Sequence, residues 1–234
     1  MYPGKVTALI IPARNEALTL PGVLAAVPAE VDHVLVVDNG STDDTPRIAK
    51  KCGAKVVSEP RKGYGRACQA GISAYEADPP DIVAFADADG SDDISRLSEF
   101  IGLLTKGEAD LVLSRRIPVE SGAMSFQQRF GNWLATRLIR FFWGYEYKDL
   151  GPMRAITWNG LRKLNMADAD FGWTVEMQIK ALKIGLNARE LPVAYLKRKA
   201  GRSKVSGTLV GSLRAGLKIL QVIFHEILKG EHNG

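Results

Sequence analysis

A chain of 234 residues with 46% hydrophobic and 24% charged side chains has the length and composition of one folded domain, which excludes a disordered or fibrous protein. Two cysteines, Cys52 and Cys68, exclude a disulfide framework, and His33, His225 and His232 lack zinc-ligand spacing, so a reducing, cytoplasmic setting is expected. The net charge of +5 is concentrated in a block from Leu196 to Lys204, which suits an anionic partner without choosing among nucleic acid, acidic lipid and phosphorylated substrate. No leader is expected before Met1-Tyr2-Pro3-Gly4, and no run reaches the roughly 18 apolar residues of a membrane span, so membrane contact is expected to be peripheral.

In chain order, short apolar runs predict strands at Val6–Ile11, His33–Val37, Lys55–Val57, Ile82–Ala86 and Leu111–Leu113. Their hydrophobicity is continuous, as in strands buried on both faces. Between them lie helices expected at Leu20–Val27, Thr45–Lys51, Arg66–Ala77 and Ile94–Leu104, with Asp44 and Asp93 as N-caps. The alternation predicts an α/β fold with a Rossmann-like, mostly parallel sheet. Beyond Arg116 come a long helix at Ser125–Phe142, a strand near Met153–Ile156, helices near Trp158–Leu164 and Thr174–Ile184, a strand near Arg189–Ala194 and a last helix at Thr208–Lys229. No Pro-, Gly- or Ser-rich linker interrupts the chain, so residues 1–234 are read as a single domain, with a front at 1–116 and a back at 117–234.

Ligands of open parallel sheets collect beyond the carboxyl ends of the strands, and four such ends are polar: Pro12 to Glu16, Asp38 to Asp43, Glu59 to Gly65, and Asp87-Ala88-Asp89. Asp87 and Asp89 offer hard oxygen ligands for Mg²⁺ or Mn²⁺, in a pair that substrate phosphates would complete. A calcium loop fails at Asp87–Asp93, because Asp92 stands where the sharp-turn Gly belongs and Ser98 where the bidentate Glu belongs. Gly63-Tyr64-Gly65 is no dinucleotide fingerprint, since Cys68 replaces the third Gly, and no Walker-type phosphate loop occurs.

Taken in order, Ile11-Pro12-Ala13-Arg14-Asn15-Glu16, Val36 to Asp43, Lys62-Gly63-Tyr64-Gly65 to Gly71, and Phe85 to Asp89 resemble the four motifs of the inverting family 2 glycosyltransferases of GT-A fold. Within that family the chain is most similar to the dolichyl- or polyprenyl-phosphate mannose and glucose synthases. The resemblance implies a nucleotide-sugar donor (UDP- or GDP-sugar) held by Pro12, Ala13, Arg14, Glu16, Val37, Asp38, Asn39, Ser41, Lys62, Asp87 and Ala88. It implies a metal on Asp87 and Asp89, catalytic roles for Asp89, Arg115 and Glu176, and no nucleic-acid partner. Many family members carry Asp where this chain has Asn39.

A sugar hydroxyl acceptor needs a general base, whereas a phosphate does not. The acidic pair of hydroxyl-using relatives would fall at Trp173-Thr174, where neither residue is acidic. The resemblance implies that Arg115, Arg129, Asn132, Arg202 and Lys204 clamp an acceptor phosphate, a task suited to guanidinium forks. Gly151-Pro152-Met153-Arg154 departs from the Ser-Gly-Phe-Arg-like sequence of the better-known synthases. Apolar stripes at helical spacing, Phe126, Phe130, Trp133, Leu134, Leu138, Phe141 and Phe142 on one helix and Leu213, Leu217, Leu220, Phe224, Ile227 and Leu228 on another, suit helices lying in a bilayer interface, and equally helices packed on the core or at an interface of a homo-oligomer. The leading expectation is hexose transfer to a polyprenyl phosphate at the cytoplasmic face of a membrane. Its alternatives are a hydroxyl acceptor with Asp149, Asp170 or Glu176 as base, a non-catalytic nucleotide-sugar-binding protein, and a nucleotidyltransferase, which usually opens with a Gly-rich loop absent from Pro12–Glu16.

Overall fold

The structure is a computed structural model that describes residues 4–198 and 209–230. Its centre is a sheet of β1 (Thr7–Ala13), β2 (His33–Asp38), β3 (Lys55–Ser58), β4 (Ile82–Phe85), β5 (Leu111–Pro118), β6 (Arg154–Thr157) and β7 (Ala188–Tyr195), in the order β3-β2-β1-β4-β6-β5-β7. All pairings are parallel except those of β6, which runs antiparallel between β4 and β5. Side chains alternate across each strand, so every central strand feeds two core layers. Ile10, Val37, Phe85 and Leu113 point to one layer and Leu9, Val36, Ala84 and Val112 to the other. That is why these strands are continuously hydrophobic.

Helices α1 (Leu20–Ala25), α2 (Thr45–Lys51) and α4 (Leu97–Thr105) cover the second layer. Helices α3 (Tyr64–Ser73), α5 (Phe126–Trp143), α6 (Trp158–Leu164), α7 (Trp173–Lys183) and α8 (Leu209–Gly230) cover the first. Asp93 caps the 3₁₀ turn that leads into α4, accepting from the Ser95 amide. Asp44 does not cap α2, contrary to expectation. It turns outward to pair with Arg47, and the Asp43 carboxylate accepts from the Thr45 amide at 3.0 Å in its place.

Helix α5 opens on a reciprocal capping box of Ser125 and Gln128 and stops at Gly144, which takes the left-handed conformation. Its apolar residues do not form one stripe. Ala135 and Ile139 are buried and Leu138 packs on the core, whereas Phe126 (77% exposed), Phe130, Trp133, Phe141 (80% exposed) and Phe142 face outward. Helix α8 packs against α5 and α7, and it divides likewise. Val222, Ile223 and Ile227 turn inward, while Leu217, Phe224 and Leu228 are exposed. Each helix thus divides its apolar residues between core and surface, with one side closing the core layer over α7. Among the described residues, no helix is long and apolar enough to cross a membrane.

Candidate active site

The carboxyl ends of β1, β2 and β4 lie side by side, because β1 pairs with both neighbours. This brings three of the four polar motifs to one rim. The loops after β1 and β2 are laced together: Ser41 Oγ accepts from the Asn15 amide at 3.0 Å, and Asn15 Oδ1 accepts from the Thr42 amide at 2.7 Å. Asn15 achieves this with a positive φ of 53°, tolerated by Asn better than by most residues. Asp38 Oδ1 accepts from the Ser41 amide, and Glu16 is buried, with its backbone amide donating to Thr45 Oγ1 and its carboxylate accepting from Thr19 Oγ1. Pro12, Ala13 and Arg14 follow directly on this rim, and Ala88 fixes it from β4 by accepting Thr19 Oγ1 at 2.8 Å.

Two expected donor ligands have other tasks. The Val37 side chain is fully buried in the core layer beneath α3, so only its backbone reaches the rim. Asn39 Nδ2 donates to the carbonyls of Glu59 and Arg61 at 2.9 and 2.8 Å, and its Oδ1 accepts from the Gly63 amide at 3.0 Å. Its amide therefore ties the β3–α3 loop to β2. A carboxylate there has no hydrogen to give either carbonyl, which explains Asn in place of Asp. Lys62 stands exposed on that same loop.

The metal corner follows β4. Among the described residues, Asp87 Oδ1 is buried without a protein partner, as are both carboxylate oxygens of Asp92. Asp89 accepts from the Ser91 amide at 2.9 Å and lies 3.4 Å from the Arg198 guanidinium, which also pairs with Glu16. Burial, and then the charge of Asp89, pushes the Asp87 carboxyl up to about 7, offset in part by a hydrogen bond from the Tyr64 hydroxyl. Burial also holds the Asp92 carboxyl well above the usual range. Buried carboxylate oxygens without partners favour a bound cation. Among the described residues no three acidic, His or Cys side chains form a closed cage. A two-carboxylate corner of that kind fits Mg²⁺ or Mn²⁺ completed by phosphate oxygens.

Behind Asp87 stands Arg154 on β6, fully buried, donating to the carbonyls of Gly151 at 2.5 Å, Pro152 at 3.2 Å and Thr174 at 3.1 Å. It joins the β6 entry turn to the start of α7. Tyr64 and Arg154 lie within quoted motifs and Arg198 within the basic block, but local sequence assigns none of them a place beside Asp87 and Asp89, which only folding brings about.

A cavity of about 480 Å³ opens beyond β5, lined by Arg116, Pro118, Met124, Arg129, Asn132, Lys148 and Asp149. Arg129 and Asn132 meet there. Arg115 does not line it. On a strand, neighbouring residues face opposite ways, and Arg116 is the one in the wall. Arg116 is held bidentately by Asp149 at 2.8 Å, lies over the Tyr195 ring at 5.3 Å, and its charge reaches Asp87 and Asp92. The cavity therefore adjoins the metal corner. Arg202 and Lys204 lie outside the described residues.

Glu176, expected at the reaction centre, is engaged elsewhere. Its carboxylate accepts from the amides of Ala167 and Asp168 at 2.9 and 2.8 Å and pairs with Lys180 at 2.7 Å. It braces the 165–172 loop instead of facing a substrate. That loop lies against the start of α3, where a Cβ on Gly65 would stand 2.1 Å from the Asp168 carbonyl oxygen. Gly63 and Gly65 of the third motif thus admit the close approach of this loop, while Gly71 makes room for Ile10 and Val37. Asp170 of the same loop is half-buried, and burial and then Asp168 raise its carboxyl.

Residues 8–159 match the family model described as glycosyl transferase family 2. An uncharacterized glycosyltransferase of Mycobacterium tuberculosis is 42% identical over 220 residues, covering 94% of this chain and 99% of the relative. A dolichyl-phosphate hexose transferase of Haloferax volcanii is 31% identical, covering 95% of this chain and 96% of that one. An undecaprenyl-phosphate mannosyltransferase of Micrococcus luteus is also 31% identical, over 86% of this chain and 88% of that one. In fold, the chain is similar to glucosyl-3-phosphoglycerate synthase from Mycobacterium tuberculosis, crystallised with Mn²⁺, UDP and glucosyl-3-phosphoglycerate, with a TM-score of 0.77 at 24% identity over 96% of this chain and 80% of that one. With its polar motifs gathered at the carboxyl edge of a seven-stranded GT-A sheet, the chain belongs to glycosyl transferase family 2 and is a glycosyltransferase.

Proposed function

We propose that the protein transfers a hexose, with inversion, from a UDP- or GDP-sugar to the phosphate of a polyprenyl phosphate at a membrane surface. The observation that carries this reading is the cationic cavity beside the metal corner, walled by Arg116, Arg129 and Lys148. Its one carboxylate, Asp149, is already held by Arg116. Such a site suits an anionic nucleophile that arrives without a proton to lose. The polyprenyl-phosphate activities in the names of two relatives support the same acceptor class.

Pro12, Ala13, Arg14, Glu16, Asp38 and Ser41 would receive the nucleoside, with Lys62 at the rim. Asp87 and Asp89 would hold Mg²⁺ or Mn²⁺, which would neutralise charge developing on the leaving diphosphate. Arg129, Arg116 and Lys148 would orient the acceptor phosphate, with Asn132 holding the cavity wall through the Leu150 amide at 2.8 Å. The aromatic face of α5 begins at the cavity: Phe126, Phe130 and Trp133 alternate with Arg129 and Asn132 along one helix. A lipid phosphate in the cavity would leave its chain on that face, with the protein at the cytoplasmic side of the bilayer.

The test is incubation with sugar-labelled UDP- and GDP-donors and polyprenyl phosphate. The expected product partitions into organic solvent and releases its sugar in mild acid, and Asp89→Asn abolishes it without unfolding the protein. Label that stays in water as a stable glycoside would overturn the acceptor. One observation favours a hydroxyl acceptor as the second reading: the raised Asp170 carboxyl sits beside Tyr64, whose hydroxyl bonds Asp87. On that reading Asp170→Asn would lower kcat by about 10²-fold or more, whereas with a phosphate acceptor the rate should hold.

A further inference from the structure

Two acidic side chains of the donor rim share one guanidinium. Arg198 lies three residues beyond β7 and pairs with Glu16, after β1, and with Asp89, after β4, the latter at 3.4 Å. The Arg198 side chain is 17% exposed and those of Glu16 and Asp89 are 7% and 19% exposed, so the triplet is largely withdrawn from water. Charges in such a setting interact more strongly than at an open surface. A guanidinium keeps its charge at any working pH, and its planar fork can serve two carboxylates together. In the donor-free protein, Asp89 therefore already has a cation.

We propose that Arg198 is a built-in counter-cation that keeps Asp89 from taking up free divalent metal, so that the corner loads metal and nucleoside diphosphate together. This rests on the reading of Asp87 and Asp89 as the metal corner. A free Mg²⁺ or Mn²⁺ ion meets a fixed positive charge at Asp89 and must displace it, leaving Glu16 and the guanidinium to re-pair. The metal complex of a diphosphate carries net negative charge and offers oxygens that can accept the guanidinium as it leaves Asp89. The same residue thus repels one form of the cofactor and welcomes the other. The device limits occupancy by adventitious metal in an enzyme whose metal is useful only with its donor.

Titration with Mn²⁺, followed by the electron paramagnetic resonance signal of the free ion, tests this without turnover. In the absence of nucleotide, Arg198→Gln should bind Mn²⁺ about tenfold more tightly than the unmodified protein, the scale of a partly buried charge contact, while Arg198→Lys should stay near it. Adding UDP or GDP should raise Mn²⁺ affinity sharply in the unmodified protein and less in Arg198→Gln. The gain in Arg198→Gln should vanish on adding Asp89→Asn. If the unmodified protein binds Mn²⁺ with UDP or GDP but Arg198→Gln binds free Mn²⁺ no more tightly, the proposal fails and the metal corner stands. A gain that survives Asp89→Asn also overturns it. If Mn²⁺ does not bind the unmodified protein with either nucleotide, the metal corner falls and the proposal with it.

Discussion

Asn39 illustrates how one amide can hold a pocket together. Its three hydrogen bonds reach Glu59, Arg61 and Gly63, so the loop between β3 and α3 hangs on a side chain of β2. Asn39→Asp should destabilise the protein by about 1–3 kcal/mol for each carbonyl left unpaired, measured by urea unfolding, and it should weaken donor binding because the Lys62 loop is released. Unchanged stability would show that the loop is held by other means. At Asp87 the expected effect is on pH. Burial, and then the charge of Asp89, push the folded Asp87 carboxyl up to about 7, well above the ordinary carboxylate range. The folded state holds this proton more tightly, so the contribution is present in acid and is lost as pH rises through about 4 to 7. The metal-free protein should therefore lose melting temperature relative to Asp87→Asn as pH rises across that window, and parallel curves would refute the assignment. Residue types and spacing drew attention to Asp87 and Asp89 at the end of β4. They could not reveal Tyr64, Arg154 or Arg198, whose relation to the corner is created only by folding.

At the scale of elements, the start of α3 and the 165–172 loop form one unit. Backbone meets backbone where Gly65 approaches the Asp168 carbonyl, the Arg66 amide donates to Ala169 O at 3.0 Å, and Glu176 holds the loop from its other side. Gly65→Ala should cost about 1–3 kcal/mol, as overpacking against an unyielding backbone does. Glu176→Gln separates bracing from base catalysis. A lost base lowers kcat by about 10²–10⁴-fold and removes a limb of the pH–rate profile. A lost brace lowers thermal stability and leaves the profile's shape intact, which is the expected outcome. Strand and helix positions were legible to within a few residues because continuous apolar runs and capping residues are local signals. The Asp44 cap was misplaced for an equally local reason: Asp43 and Asp44 are adjacent carboxylates, and Arg47 draws the second one outward.

On the scale of the whole molecule, α5, which lines the cationic cavity, presents exposed aromatic side chains, with the Arg137 guanidinium 5.7 Å from the Trp133 ring, and α8, packed on α5, presents further apolar ones. Sedimentation with vesicles containing anionic phospholipid should carry the protein down. Replacing Phe130 and Trp133 together by Ser should weaken that association by about 10-fold or more, since each large apolar side chain contributes on the order of 1.5–3 kcal/mol when fully buried. Retained binding by the double variant would direct attention to an interface between copies of the chain. Periodicity identified both helices correctly, yet it could not divide their apolar residues between core and surface, because that division depends on where α7 lies. The placing of β6 carries a last consequence, for synthesis of the chain. In the sheet, residues 154–157 of β6 stand between β4 and β5, and they are made after both. A nascent chain that has released its first 116 residues holds two strands that are not neighbours in the finished sheet, each with an open hydrogen-bonding edge. Residues 1–116 should therefore be unable to mature on the ribosome ahead of residues 117–234, and a fragment ending at Arg116 should aggregate where the longer chain folds.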